Sequence, residues 1–192
     1  MDRVAIKAHA RKNIEGKIFI ILAITIIVAI VGGVLGLIPV VGWLALLVLE
    51  GPLMFAETKI YLDIAAKNRT PEIKDLLEGV KEENFTRSFV GFLRYNIFVA
   101  LWSLLFWIPG IIKSISYSQM FFLMAENKKM DAAEAQKKSM EIMEGHKWEY
   151  FVLGLSFIPW YLLCGITFGI ASIYVMPYVE TAKAEFYRNL KK

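Results

Sequence analysis

The sequence predicts an all-α fold, a polytopic transmembrane bundle of about six spans arranged as three hairpins with cytoplasmic amphipathic helices. Of the 192 residues, 57% are hydrophobic and only 21% are charged, whereas soluble domains contain roughly 45–50% apolar residues. Each long apolar run contains an Ile-Pro step, at residues 38–39, 108–109 and 158–159. Because proline ends or kinks a helix, each step predicts a turn between two spans.

The first apolar run shows why the runs must be divided. Residues 18–49 carry no charge, and one helix of that length would measure about 48 Å, which exceeds the ~30 Å hydrocarbon core. Pro39 divides this run, and Pro109-Gly110 gives the second turn. We treat the chain as one integral membrane domain, 1–192, with spans at roughly 18–38, 41–62, 88–108, 111–125, 148–163 and 165–180.

The last apolar run is the hardest to divide. Residues 150–179 carry no charge, and they contain Pro159 and the Cys164-Gly165 step. These residues favour a hairpin of two short arms, each shorter than the ~20 residues of a perpendicular span. Two spans, a re-entrant hairpin and a single span are all compatible with this length.

The polar segments predict the orientation of the chain. All but two of the 22 Lys and Arg residues lie in 1–17, 59–87, 126–149 and 180–192. Basic segments remain on the cytoplasmic side of a membrane, so an even number of spans places both termini there. We expect short amphipathic surface helices in the first three segments, the second capped near Thr70.

Glu50 is the first candidate functional residue, because a carboxylate near the bilayer centre is costly unless it is paired, protonated or hydrated. It precedes Gly51 and Pro52, which should kink or break the second span. Broken helices at this depth form the binding sites of many transporters. The alternative interpretation is a neutral or paired Glu50 nearer the inner interface.

Four further candidates lie at expected interfaces or turns. Arg94 can extend to the cytoplasmic surface, and pairing with a carboxylate of the second span is the alternative. Pro109 and Gly110 form the expected outer turn, and His146 lies at the inner interface, where a structural or headgroup contact is expected.

No motif for catalysis or cofactor binding is present. The chain lacks a Walker motif, a dinucleotide fingerprint, a zinc pattern and a serine elbow. Its single cysteine, Cys164, excludes an intramolecular disulfide. The basic segments are interleaved with acidic residues, so nucleic acid is not an expected partner. We therefore expect no enzyme activity, no cofactor and no metal site.

The second half resembles a known family. The segments that carry the resemblance are LWSLLFWIPGIIKSISYSQMFFLMAE (101–126), KKSMEIMEGHKWEYFVLGLSFIPW (137–160) and PYVETAKAEFY (177–187). They are similar to the prokaryotic membrane-protein family called domain of unknown function 975. A fainter similarity reaches the membrane domain of some glycerophosphodiester phosphodiesterases. The resemblance implies a multi-pass protein of the prokaryotic inner membrane, and it implies no activity and no functional residue.

Three functional classes follow from these observations. The first is a structural or accessory protein that organises membrane lipids or partner proteins. The second is a small oligomeric transporter or channel that uses Glu50 at a broken helix. The third is a membrane-embedded enzyme that acts on lipid-linked substrates. Membrane lipids, a second copy of the chain and another membrane protein are the expected partners.

Overall fold

The structure is a computed structural model that describes residues 2–191. The all-α fold is confirmed, and these residues include no β-strand. A short 3₁₀ helix, Ile73–Glu78, follows the third α-helix. The α-helices are α1 (Arg3–Ile14), α2 (Ile18–Gly36), α3 (Val41–Lys67), α4 (Glu82–Leu105), α5 (Trp107–Tyr117), α6 (Met120–Glu126), α7 (Ala132–Ile142), α8 (Lys147–Leu155), α9 (Ile158–Ile166) and α10 (Ser172–Leu190).

Three apolar hairpins project from the molecule. Their turns lie at residues 37–40 between α2 and α3, at Phe106 between α4 and α5, and at 167–171 between α9 and α10. We call these turns tip 1, tip 2 and tip 3. Large apolar side chains at or beside them are exposed, 82% for Leu37, 84% for Trp107 and 98% for Phe168.

The buried core lies away from the tips. It is formed by α1, α10, the second half of α3, α6, α7 and parts of the neighbouring helices. Of the residues whose burial the structure describes, Gly42 is the one that is buried between residues 25 and 50. Gly110 is the one that is buried between residues 93 and 115. None of residues 158–174 is buried. The outer parts of the hairpins therefore bury few side chains. Some of them still pack against the core, namely Ile27 and Val28 of α2 and Trp160, Cys164 and Ala171 of the third hairpin.

Three segments are long and apolar enough to cross a membrane, namely Ile18–Gly36, Val41–Lys67 and Lys147–Ile166, the last of which is α8 and α9 together. Only 11% of the most apolar window is buried in the first and in the third. Exposed apolar surface of this extent requires an apolar environment, so the protein associates with a membrane.

The second predicted span differs from the prediction in its middle. We predicted a kink or break at Glu50-Gly51-Pro52, but α3 is one continuous helix through Pro52. Neighbouring chain segments pack directly on Gly51 and Pro52, and such contacts stabilise a helix that has lost one backbone donor. The predicted break is therefore wrong, and a kink at Pro52 stays a prediction.

The second turn also differs from the prediction. The chain reverses at Phe106, whose backbone is extended with φ −161° and ψ 143°, and not at Pro109-Gly110. Pro109 lies in the first turn of α5, where the missing N–H would have no helical partner in any case. Gly110 marks the closest approach of the two arms, because a Cβ there would lie 2.9 Å from Ser103 Cα. The fourth predicted span is also divided, into α5 and α6.

The turn of the third hairpin comes later in the chain than predicted. The helix breaks after Leu155, and Pro159 lies in the first turn of α9. Cys164 lies within α9, so the turn follows at 167–171 rather than at Cys164-Gly165.

The predicted surface helices are partly built into the core. Helix α1 buries Ile6, Ala10 and Ile14, and α7 buries Ala132, Ala135, Gln136 and Ser139. Asp131 caps α7 by accepting from Glu134 N at 2.8 Å, as its sequence indicates. The helix expected from Thr70 is shorter and is a 3₁₀ helix that Glu72 caps.

Candidate functional site

Glu50 is exposed on the side of α3 that faces α2. It lines an open groove of about 470 Å³ together with Val28 and Gly32 of α2 and Glu57 of α3. The two carboxylates are seven residues apart, so they lie on the same face of the helix. The helix is continuous here, so the broken helix end that the sequence predicts beside Glu50 does not form.

Gly51 and Pro52 form a contact point between helices. A Cβ at Gly51 would lie 2.7 Å from the Ser88 carbonyl oxygen and 2.9 Å from Phe92 Cβ, both on α4. A Cβ at Gly79, just after the 3₁₀ helix, would overlap the Pro52 carbonyl. The segment that contains Glu78 and Lys81 thus packs on α3 at Pro52. Glu50 is two residues from Pro52, or about 3 Å along the helix axis.

Arg94 is bonded within the protein. Its Nε and Nη2 donate to Gln136 Oε1 of α7 at 3.1 and 2.8 Å, and its guanidinium lies 5.3 Å from the centre of the Phe98 ring. The predicted alternative, a pair with Glu50 or Glu57, does not form among the described contacts. Arg94 therefore joins α4 to α7.

His146 directly precedes α8. Its Nδ1 lies 2.7 Å from Glu149 Oε2, an interaction that joins the first turn of α8 to the residue before it. The arrangement fixes the start of the helix. Pro109 and Gly110, as described above, shape the second hairpin.

The end of the molecule opposite the tips holds a network of ion pairs that the sequence analysis did not find. Glu78 pairs with Lys59 Nζ at 2.5 Å and with Lys81. The hydrogen bonds from Lys59 and Lys81 lower the pKa of Glu78 to about 2. Arg69 Nη1 lies 2.8 Å from Asp75 Oδ2. The partners of the first pair are far apart in the chain, so no local spacing indicates them.

Tip 3 contains two further polar residues that the sequence analysis did not single out. Thr167 Oγ1 donates to the Leu163 carbonyl at 2.8 Å and accepts the Ala171 N–H at 3.0 Å. Ser172 Oγ donates to the Gly169 carbonyl at 2.5 Å. Each backbone N–H from residue 167 to 174 donates a hydrogen bond. The N–H groups of this turn are thus satisfied within the protein although its apolar side chains are exposed.

The arrangement offers no evident site for a metal. Within residues 2–191, no group of three or more His, Cys, Asp or Glu side chains is placed to hold one. The exposed groups are instead of two kinds. Apolar tips lie at one end, and ion pairs and basic side chains lie at the other.

The comparisons with known proteins agree with the predicted resemblance. The family described as protein of unknown function DUF975 matches residues 1–116 and 104–192. No curated protein and no solved structure matches the chain. The fainter similarity to the membrane domain of glycerophosphodiester phosphodiesterases stays a prediction from the sequence. The family matches cover the whole sequence, so the chain belongs to the DUF975 family.

Proposed function

We propose that the protein is a structural or accessory protein of the prokaryotic plasma membrane that organises lipids. One observation carries this proposal. Apolar tips are exposed at one end of the molecule, and a buried core with ion pairs lies at the other. A protein of this shape inserts its hairpins into lipid and holds its charged end in water.

The charged end supports a cytoplasmic location for both termini. Helix α1 exposes Arg3, Arg11 and Lys12, whereas Ile6, Ala10 and Ile14 are buried. Basic side chains near an anionic leaflet contribute about 1 kcal/mol each to membrane binding. In this proposal α1 lies at the headgroups of the cytoplasmic leaflet and selects anionic lipids. Six complete crossings stay a prediction from the sequence.

Transport is the second candidate, because the groove beside Glu50 and Glu57 is open. A path through one copy would need helices that enclose it, whereas the outer parts of the hairpins are almost unburied. A transporter or channel would therefore require a homo-oligomer. An enzyme acting on lipid-linked substrates is the third candidate, and no arrangement among the described residues favours it over the other two.

The test of the proposed function measures the lipids that remain with the protein. We would extract it from membranes with an amphipathic polymer and compare its anionic lipid fraction with that of the bulk membrane. We expect enrichment, and we expect the variant R3Q/R11Q/K12Q to reduce it. The matched control K137Q/K138Q, on the exposed face of α7, should retain it.

The same preparation distinguishes a transport function from the proposed organisation of lipids. If proton or cation flux into proteoliposomes occurs and disappears in Glu50→Gln, while no lipid enrichment is seen, the protein is a transporter and the proposal is overturned. Equal lipid composition in the bulk membrane and in the wild-type preparation, without flux, would also overturn it.

A further inference from the structure

The depth of the first hairpin can be measured from its contact with charged residues. Gly79 lies directly against the Pro52 carbonyl, and Glu78 and Lys81 flank Gly79. From Pro52 to the start of α3 at Val41 is eleven residues, or about 17 Å of helix. Charged groups thus meet α3 only about 17 Å from tip 1.

The other arm of this hairpin, α2, is longer, but its first turns belong to the core. Ile21 and Ile24 are buried in the same cluster as Ile60 and Leu76. Ile27 and Val28 still pack against that cluster, so only the segment 29–36 projects beyond it. Its length is about 12 Å, which is shorter than the other arm.

The second hairpin has a similar depth when it is measured to its contacts with α7. Lys113 lies within this depth, about 10 Å of helix from Phe106, with its Nζ 4.8 Å from the centre of the Trp102 ring. Arg94 bonds to Gln136 of α7, a helix whose outer face exposes Lys137 and Lys138. From Arg94 to tip 2 the arm measures about 18 Å. On the returning arm, Ser139 Oγ donates to the Ser116 carbonyl at 2.7 Å, about 15 Å of helix from the tip.

The third hairpin is held at its base by α1. Lys7 Nζ donates to the Ser156 carbonyl at 2.8 Å, and from Ser156 to Phe168 the arm measures about 18 Å. Arg11 Nε donates to the Tyr174 hydroxyl at 3.3 Å. Helix α1 therefore lies beside α10, and Arg11 contacts α10 at a residue about 9 Å of helix from Phe168.

Apart from the contact of Arg11 with Tyr174, the depths of about 15–18 Å correspond to one leaflet. The hydrocarbon core of a bilayer is about 30 Å thick, so one leaflet contributes about 15 Å. A turn that ends inside hydrocarbon needs internally satisfied backbone groups, and tip 3 satisfies every N–H from residue 167 to 174. At tip 1, the N–H groups of Leu37, Ile38, Val41 and Gly42 donate to nearby carbonyls, whereas the N–H of Val40 donates to no described group.

We infer that the three hairpins enter only the cytoplasmic leaflet and that their tips end among its acyl chains. The inference rests on the proposed insertion from the cytoplasmic side, and it replaces the six predicted crossings. The partner of the apolar tips is therefore lipid, and no segment between residues 2 and 191 emerges on the far side.

Complete crossing would be costly for this structure. If tip 3 reached the opposite surface, α1 would be drawn into the hydrocarbon together with the exposed side chains of Arg3, Arg11 and Lys12. A charged residue at the bilayer centre costs about 2.5–3.5 kcal/mol. Apolar side chains at the tips, among them Phe168, would in addition become exposed to water.

The experiment measures how deep the tips lie. In a Cys164→Ala background, a fluorophore would be attached to Phe168→Cys or Leu37→Cys, with Lys137→Cys as the control at the charged end. The labelled proteins would be reconstituted in vesicles that contain nitroxide lipids labelled near the headgroup or at the acyl chain end. Circular dichroism would verify that each variant keeps its helical content.

We expect the fluorophores at residues 168 and 37 to be quenched most by the chain-end label, and the one at 137 to be quenched hardly at all. Strong quenching of a tip fluorophore by iodide from one side of the vesicle, with the fluorophore at 137 accessible from the other side, would overturn the inference and leave the proposed lipid role standing. If iodide quenches the tip fluorophore and the fluorophore at 137 from the same side of the vesicle, the hairpins are not inserted in the membrane. This result would overturn both the inference and the proposed lipid role.

Discussion

The hydroxyl of Thr167 gives the most informative stability measurement. Thr167→Val keeps the shape of the side chain but removes the acceptor of the Ala171 N–H at 3.0 Å. The Leu163 carbonyl still accepts from the backbone N–H of Thr167. In hydrocarbon, the unpaired Ala171 N–H should reduce the free energy of unfolding by about 1–3 kcal/mol. In water, a solvent molecule would replace the lost bond and most of this loss would disappear.

The assay is reversible unfolding in bicelles with increasing SDS, followed by circular dichroism. Thr167→Ser retains a hydroxyl and should unfold close to the wild type. Thr25→Val is the matched control, because its hydroxyl only donates to the Ile21 carbonyl and accepts no backbone N–H. If the Val and Ser variants at 167 differ by less than about 0.5 kcal/mol, within the range of ordinary surface substitutions, tip 3 is hydrated and the reasoning is refuted.

Two further predictions concern the region near the charged end. Gly51→Ala should destabilise the protein by about 1–3 kcal/mol, because the new methyl group would lie 2.7 Å from the Ser88 carbonyl oxygen. Gly154→Ala, which meets nothing within 4 Å, should leave the stability unchanged or raise it by up to about 1 kcal/mol, because alanine favours a helix over glycine. Equal unfolding midpoints for both variants would contradict the helix contact. Because the pKa of Glu78 is lowered from 4.5 to about 2, its pair with Lys59 stabilises the protein fully above pH 4.5 and progressively less as the pH falls to 2. Glu78→Gln should flatten the dependence of the unfolding midpoint on pH in this window, and an unchanged dependence would show that the pair contributes nothing.

The hairpin plan could be predicted from the sequence because it depends on local properties. Apolar runs interrupted by Ile-Pro steps indicate where helices end, and the clustering of Lys and Arg indicates one charged end. The family resemblance was found for the same reason, since its motifs are contiguous segments. The exact turns could not be predicted, because a proline tolerates two positions near a turn. Pro109 and Pro159 both lie in the first turn of a helix rather than in the turn itself.

The contacts that fix depth could not be predicted, because they join distant parts of the chain. Gly79 against Pro52, Arg94 with Gln136 and Lys7 with Ser156 are separated by 27, 42 and 149 residues. Glu50 was expected near the bilayer centre because length and hydropathy alone measure a span. The contact of Gly79 with α3 instead places Glu50 close to charged residues.

The central claim is tested most directly by chemical access to Phe168, which is 98% exposed at tip 3. Phe168→Cys in a Cys164→Ala background would be treated with a membrane-impermeant maleimide in intact cells, in inverted membrane vesicles and after denaturation in detergent, with Lys137→Cys as the control. We predict that the cysteine at 168 reacts only after denaturation, while the one at 137 reacts in inverted vesicles. Labelling of the cysteine at 168 in intact cells would show that tip 3 reaches the far surface and would contradict insertion into one leaflet.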